Sequence, residues 1–286
     1  MARVLVLGVT GMLGNAVFRV FSADAHHETW GTLRSASALR NFPLQAHERL
    51  LVGVDALDQD ALAAAFSRVR PDVVINCVGL IKHLADAKDP LTALPINAML
   101  PHRLARLCEL SGARLIHVST DCVFSGRKGG YLESDTSDAE DLYGKSKYIG
   151  ELHDLPHAIT LRTSIIGHEL GSSHALVDWF LSQQGSAKGF TKAIFSGLPT
   201  VELARVMKDF VVPHLSLNGL YHVAAEPIAK FDLLALVASE YGKQIDIRPD
   251  DALVIDRSLD GSRFREATGY VAPGWPELIR RMNTDR

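Results

Sequence analysis

"ARVLVLGVTGMLGNAVFRVF", residues 2–21, is the stretch on which the fold turns. Residues 2–7 are apolar and rich in β-branched side chains, the composition of a strand buried on both faces. From Gly11 onward the apolar residues recur at helical spacing. Gly8, Gly11 and Gly14 lie between and within the two runs. Strand, glycine-rich turn and helix, in that order, form the setting in which such a pattern binds a dinucleotide. Gly8 makes the tight turn, and Gly11 lets backbone N–H groups reach a pyrophosphate at the helix N-terminus. Gly14 lets the helix lie close to the sheet. Thr10, Met12 and Leu13 complete the loop expected to face the phosphates. The stretch is not read as a secretory leader, despite "ADA" at 23–25. Glycines interrupt it at regular spacing, and Arg19 falls inside it.

Outward from this start, short apolar runs alternate with helical spacing. Strands are expected at 28–33, 49–54, 72–78, 113–119 and 158–163. Helices are expected at 58–69, capped by Asp58, and at 90–112, where Pro95 and Pro101 predict a kink and Gly112 an end. A further helix is expected over 138–155 despite Gly144 and Gly150. This rhythm predicts an α/β fold, a Rossmann-type doubly wound parallel sheet. After about residue 166 the rhythm loosens. Helices are expected at 172–183 and 228–242, a loop then a helix over 192–211, and a strand at 219–224. Short strands and turns fill 243–286. Residues 1–165 therefore read as the cofactor-binding domain, and 166–286 as a smaller C-terminal substrate-binding region. Segments near 198–225 are expected to pack back on the first part.

The chain has 286 residues, a net charge of −3 and a pI near 6.5. Neither nucleic acid nor a membrane is expected as a partner, since no basic excess and no long apolar run is present. Cys77, Cys108 and Cys122 are odd in number and widely spaced, which points to a reducing, cytoplasmic setting and to no zinc site.

The end of the second strand selects the dinucleotide. An acidic residue there would bind the ribose 2′-hydroxyl and favour NAD. Glu28 lies at the wrong end of that strand. Its far end carries Thr32, Arg34 and Ser35, all able to meet a 2′-phosphate, so NADP(H) is expected. Asp55, followed by Ala56, is placed to reach the adenine amine. Cys77, Val78 and Gly79 end the fourth strand, where a backbone must pass close to a ligand.

"STDCVFSG" (119–126) and "DLYGKSK" (141–147) supply the chemistry. Tyr143 and Lys147 are four apart and share a helix face. A hydride moving between nicotinamide and a carbonyl needs a proton at the oxygen, which Tyr143 can give as general acid. Lys147 is expected to lower the phenol pKa and hold the cofactor ribose. Thr120 is expected to hydrogen-bond the carbonyl oxygen.

With these pieces in place, the chain resembles an extended short-chain dehydrogenase/reductase, and more narrowly the dTDP-4-dehydrorhamnose reductase family. The resemblance rests on "GVTGMLG", "INAMLPHRLARLCE", "STDCVFSG", "YGKSKYIGE", "LRTSIIG", "GLPTVELA" and "GLYHVAAEPIAKFDLL". It implies Thr120, Tyr143 and Lys147 as the catalytic set and Asn97 in the active-site helix. It places Thr163 and Ile165 beside the nicotinamide. It implies reduction of the 4-keto group of a nucleotide-linked 6-deoxyhexulose for surface polysaccharide. Lys82, Asp121, Cys122, Pro199 and Thr200 are expected at the substrate, the last two in a loop that closes over the sugar nucleotide. Cys122 stands where the family usually has an aromatic. It reads as a packed small hydrophobe, because no cation adjoins it in sequence. Some members hold magnesium between subunits, but no acidic cluster here supports a metal. Trp179 is placed to stack on a base or to fill core, and His83, His117 and His168 read as structural. A homodimer is compatible with all of this. The alternatives are a reductase of an N-acetylated UDP-hexulose, an NAD-dependent epimerase or dehydratase, and a non-catalytic NADP-binding regulatory subunit.

Overall fold

The structure is a computed structural model and describes residues 1–80, 88–171 and 173–285. Lys82 and His83 lie outside the described residues. Strand β1 (Ala2–Leu7) runs through the glycine turn into α1 (Met12–Ser22). Next come β2 (His27–Leu33), β3 (Leu50–Val52), α2 (Gln59–Val69) and β4 (Val73–Asn76). Asp58 caps α2, accepting from the Asp60 and Ala61 amides at 2.9 and 3.1 Å. The helical stretch from residue 90 is α3 (Pro90–Ala93), a π-helical segment (Leu94–Met99) and α4 (Leu100–Ser111). Pro95, which has no N–H, opens that π segment, where the kink was expected.

Strand β5 (Arg114–Thr120) leads to α5 (Leu142–Ile149), then β6 (Ala158–Thr163) and β7 (Ile165–Ile166). Helix α5 is shorter than the expected 138–155. Asp141 accepts from the Gly144 amide at 2.8 Å and so caps its start. Beyond Gly150 the chain leaves the helix, and the Leu152 amide bonds the Thr160 hydroxyl at 2.9 Å instead.

The remaining elements are α6 (Leu176–Ser182), β8 (Ser186–Phe190), β9 (Ala193–Phe195), β10 (Leu198–Pro199), α7 (Thr200–Val206) and β11 (Gly219–His222). After them come β12 (Ile228–Ala229), α8 (Lys230–Glu240), β13 (Asp246–Asp250), β14 (Ile255–Asp256), α9 (Ser262–Thr268) and α10 (Trp275–Thr284). Two helices thus stand where only short strands and turns were expected. In α10, Trp275, Leu278, Ile279 and Met282 are buried at positions i, i+3, i+4 and i+7, one apolar stripe.

Seven strands form one parallel sheet in the order β3-β2-β1-β4-β5-β6-β11. Alternate side chains of each strand enter opposite layers. Val4, Val6, Ile75, Ile116 and Ile159 join α1, α7, α8 and α10 in one core. Leu5, Leu7, Val74 and Leu115 join α2 and α4 in the other. Strand order reverses between β1 and β4, so the C-terminal ends of these two strands open a crevice.

Later segments contribute directly to the first half. β11 adds to the sheet beside β6, β10 pairs with β7, and α7 packs on α1. The other short strands make a three-stranded sheet, β12-β9-β14, and a parallel pair, β13-β8.

Candidate active site

Gly8 leaves β1 with φ +81°, in the left-handed region that favours glycine. A Cβ on Gly14 would stand 2.1 Å from the Gly8 carbonyl oxygen, so only glycine lets α1 start this close to the turn. The helix begins at Met12 behind Gly11 with no side-chain cap and no acidic residue in its first turn. Its first N–H groups therefore face the crevice without intrahelical partners, the arrangement that receives an anion. Thr10 is exposed on the same loop. These features fit a bound pyrophosphate.

The Thr32 hydroxyl points inward and accepts from the Gly8 amide at 3.1 Å. It is buried and props the turn, a different task from the 2′-phosphate contact expected of it. Arg34 is exposed and makes no hydrogen bond or ion pair among the described residues. Ser35 caps the short helical segment Ala36–Asn41 and bonds Ser37 Oγ at 2.9 Å. Asp55 accepts from the Leu57 amide at 2.9 Å, with Ala56 half-buried between them.

Across the crevice, β4 ends at Asn76, whose side-chain carbonyl oxygen receives the Val78 amide at 3.1 Å. Cys77 follows, its thiol pushed up to about 12 by burial, against the Lys147 charge. At Gly79 a Cβ would stand 3.5 Å from Asn97 Oδ1 and 3.9 Å from Lys147 Nζ. This glycine therefore leaves a gap in front of the lysine. Asn97 is buried in the π-helical segment, accepting from the Leu80 amide at 3.0 Å and donating to Ser146 Oγ at 3.2 Å.

Thr120, Tyr143 and Lys147 come together at the C-terminal end of β5. Lys147 Nζ donates to the Val118 carbonyl at 2.7 Å. Burial lowers its pKa to about 8, with Glu151 and Cys77 pulling the other way. Tyr143 keeps some exposed surface, but its hydroxyl is closely surrounded, and desolvation raises its pKa. Cys122 adds to the rise, while a side-chain hydrogen bond with Thr120 opposes it. The lowering of the phenol expected from Lys147 is thus not found. The ammonium is turned to a backbone carbonyl, and burial outweighs charge. A raised phenol stays protonated at neutral pH, the state a proton donor needs.

Asp121 is buried, and its Oδ1 accepts from Thr120 Oγ1 at 3.2 Å. It is bound into the site wall, so the direct substrate contact expected of it gives way to a contact with Thr120. Cys122 is half-buried, and Arg257 Nη1 approaches its sulfur to 3.6 Å. The cation that the sequence near Cys122 lacks thus arrives from the chain after β14. Cys122, Ser125, Arg127, Ala139, Glu140, Asp141 and Arg257 line a cavity of about 230 Å³.

Thr163 is buried, and its hydroxyl bonds the Ser164 carbonyl at 3.2 Å; Ile165 is half-buried at the start of β7. Pro199 and Thr200 are not in a closing loop. β10 pairs with β7 and α7 buries its faces, so both residues are in the interior. Thr200 lies against Gly167, with Met12 alongside. Trp179 sits 37% exposed on α6, so it does not fill core. His117 is buried beside Asn76, 3.1 Å away. His168 ties Asp178 to Tyr241 at 2.6 and 2.8 Å. Both act as internal struts.

Beneath the site lies a network that sequence reasoning missed. Glu151 receives Ser119 Oγ at 2.6 Å and holds Arg162 through two bonds of 2.7 and 2.6 Å. Arg162 also meets His222 Nε2 at 3.1 Å. Glu151 stands four residues after Lys147, within the quoted "YGKSKYIGE", a spacing that could have placed it on the same side of the chain. Arg257 carries no such signal, being remote in sequence from every other site residue.

The parallel sheet, its switch-point crevice and the uncapped glycine turn define a Rossmann-like α/β protein. The chain belongs to the RmlD substrate binding domain family, whose model matches residues 2–255. Among curated proteins it is similar to methionine adenosyltransferase 2 subunit beta of Danio rerio, 30% identical over 84% of this chain and 74% of that protein. A "probable low-salt glycan biosynthesis reductase" of Haloferax volcanii is 28% identical over 92% of this chain and 85% of its own length. Among solved structures, a dTDP-4-dehydrorhamnose reductase from Bacillus anthracis in complex with NADP superposes with a TM-score of 0.81. It shares 22% identity, and the match covers 100% of this chain and 99% of that one. Among the described residues no helix is long and apolar enough to cross a membrane, and no group of three or more His, Cys, Asp or Glu side chains could hold a metal ion.

Proposed function

We propose that the chain is an NADPH-dependent reductase of the 4-keto group of a nucleotide-linked 6-deoxyhexulose. The observation that carries this reading is Tyr143, hydrogen-bonded with Thr120 and one helical turn from Lys147, whose Nζ lies beside Gly79 at the end of β4. When bound, NADPH supplies the hydride. The chain does the rest. Amides at the start of α1 hold the pyrophosphate, and Arg34 and Ser35 receive the 2′-phosphate. Lys147 and Asn97 line the ribose side of the gap at Gly79. Thr120 orients the carbonyl oxygen, and Tyr143 gives it a proton as negative charge develops there. The cavity beside Cys122 and Arg257 is the place for the sugar nucleotide. In this reading residues 1–165 form the cofactor region and 166–286 the substrate region, with about 198–225 packed back on the first.

A second reading rests on the zebrafish relative, a protein named as a subunit of another enzyme: this chain would bind NADP and act by association. One experiment separates the two. Purified protein is assayed for NADPH oxidation against a panel of 4-keto nucleotide sugars. Turnover that collapses in Tyr143→Phe supports the reductase. NADPH binding without turnover on any member supports the subunit.

A further inference from the structure

Thr120 has one proton to give and two lone pairs, and its neighbours compete for them. The Cys122 amide occupies one lone pair at 3.2 Å, the proton goes to Asp121 Oδ1 at 3.2 Å, and the Tyr143 hydroxyl is a third hydrogen-bond partner of the same group. A hydroxyl that donates to Asp121 cannot at the same time donate to a substrate carbonyl. We propose that Asp121 is a positioning residue that sets the polarity of the Thr120 hydroxyl. As a carboxylic acid it donates to Thr120 Oγ1 and turns the Thr120 proton toward the carbonyl oxygen beside Tyr143; as a carboxylate it takes that proton for itself. The inference rests on the reductase reading only for where the freed proton points.

Balance is kept without any added reactant. One proton, on Asp121 or not, decides which way a two-bond chain runs, and no covalent bond to carbon is involved. The groups facing Asp121 are Arg257 from the chain after β14, Lys230 at the start of α8, and its neighbours Thr120 and Cys122. Tyr143 faces it from α5, and Asp141 in turn faces Tyr143. Burial raises the Asp121 carboxyl; Arg257 opposes, as do the hydrogen bonds from Cys122 and Thr120 and the Lys230 charge. The residue is only 7% exposed, the burial that favours its neutral form.

Infrared difference spectroscopy on the full chain, free of ligand, tests the protonation directly. The expected result is a protonated-carboxyl band, absent in Asp121→Asn, whose midpoint lies above the ordinary aspartate value of about 3.9. In Thr120→Val, which keeps the carboxyl, that band shifts because its partner is gone. With a verified substrate, the reductive rate of the native protein falls about tenfold, the worth of one hydrogen bond, as pH rises through the same midpoint. Asp121→Asn, always neutral and still a donor, loses that limb. A midpoint at the ordinary value, a band indifferent to Thr120→Val, or a limb that persists in Asp121→Asn overturns the proposal. The infrared arm needs no substrate, so its failure is distinct from failure of the reductase reading.

Discussion

Lys147 is pulled in two directions. Burial favours its neutral form and brings its pKa to about 8, whereas an anionic dinucleotide at the crevice favours the cation. Binding should therefore take up protons above pH 8. Calorimetry of NADPH binding at about pH 9, in buffers of different ionisation enthalpy, should report that uptake. Lys147→Met should abolish it, and no uptake in the native protein would contradict the placement of this ammonium. The same shift has a sign for stability. Between about 8 and 10.5 the unfolded chain holds this proton and the native chain does not, so this group makes stability rise with pH in that window. Arg34 carries the other prediction at this scale. Exposed, and without a hydrogen bond or ion pair among the described residues, it should give NADPH an advantage over NADH of about 10- to 100-fold, the worth of a charged hydrogen bond. Arg34→Ala should erase most of it in a fluorescence titration, and equal affinities in the native protein would exclude the role. The glycines, Tyr143 and Lys147 were legible because their spacing is local. The inward turn of Thr32 and the Arg257 contact were not, since each depends on what another strand brings alongside.

Helix α5 and strands β5, β6 and β11 share one buried polar junction. Glu151, just beyond α5, receives Ser119 of β5 and Arg162 of β6, and Arg162 reaches His222 of β11. Both partners of the ion pair are almost wholly buried, at 0% and 1% side-chain exposure. Removing one leaves the other charged and unpaired inside the protein, at a cost of about 3–5 kcal/mol. Glu151→Ala should lose stability of that order in urea denaturation; a loss below about 1 kcal/mol would show that the junction does not hold these elements together. The central strands were readable as apolar runs because both their faces are covered. Element ends were less so. Helix α5 stops where the chain must turn for Glu151 to enter the core. In α10 the stripe of four buried residues is interleaved with Pro276, Glu277, Arg280 and Arg281, and its charge masked the helical period.

At the scale of the molecule, one apolar core runs from Val4 and Phe18 through Leu203 and Leu233 to Leu278, so the second half is built onto the face of the first. Beside the cavity at Cys122 and Arg257, Val123, Phe124, Tyr131 and Leu259 form a small cluster of their own. The alternation of strand and helix made the sheet legible, but the short strands β7–β10 and β12–β14 pair across long sequence gaps that periodicity does not report. The central claim is that this chain performs a reduction, with Tyr143 as proton donor. It is tested most directly by comparing Tyr143→Phe with the native protein for NADPH binding and for NADPH oxidation on a 4-keto nucleotide sugar that the native protein reduces. The account predicts unchanged binding and a turnover lower by about 10²–10⁴, the contribution of a positioned general acid. Near-native turnover in Tyr143→Phe would contradict it.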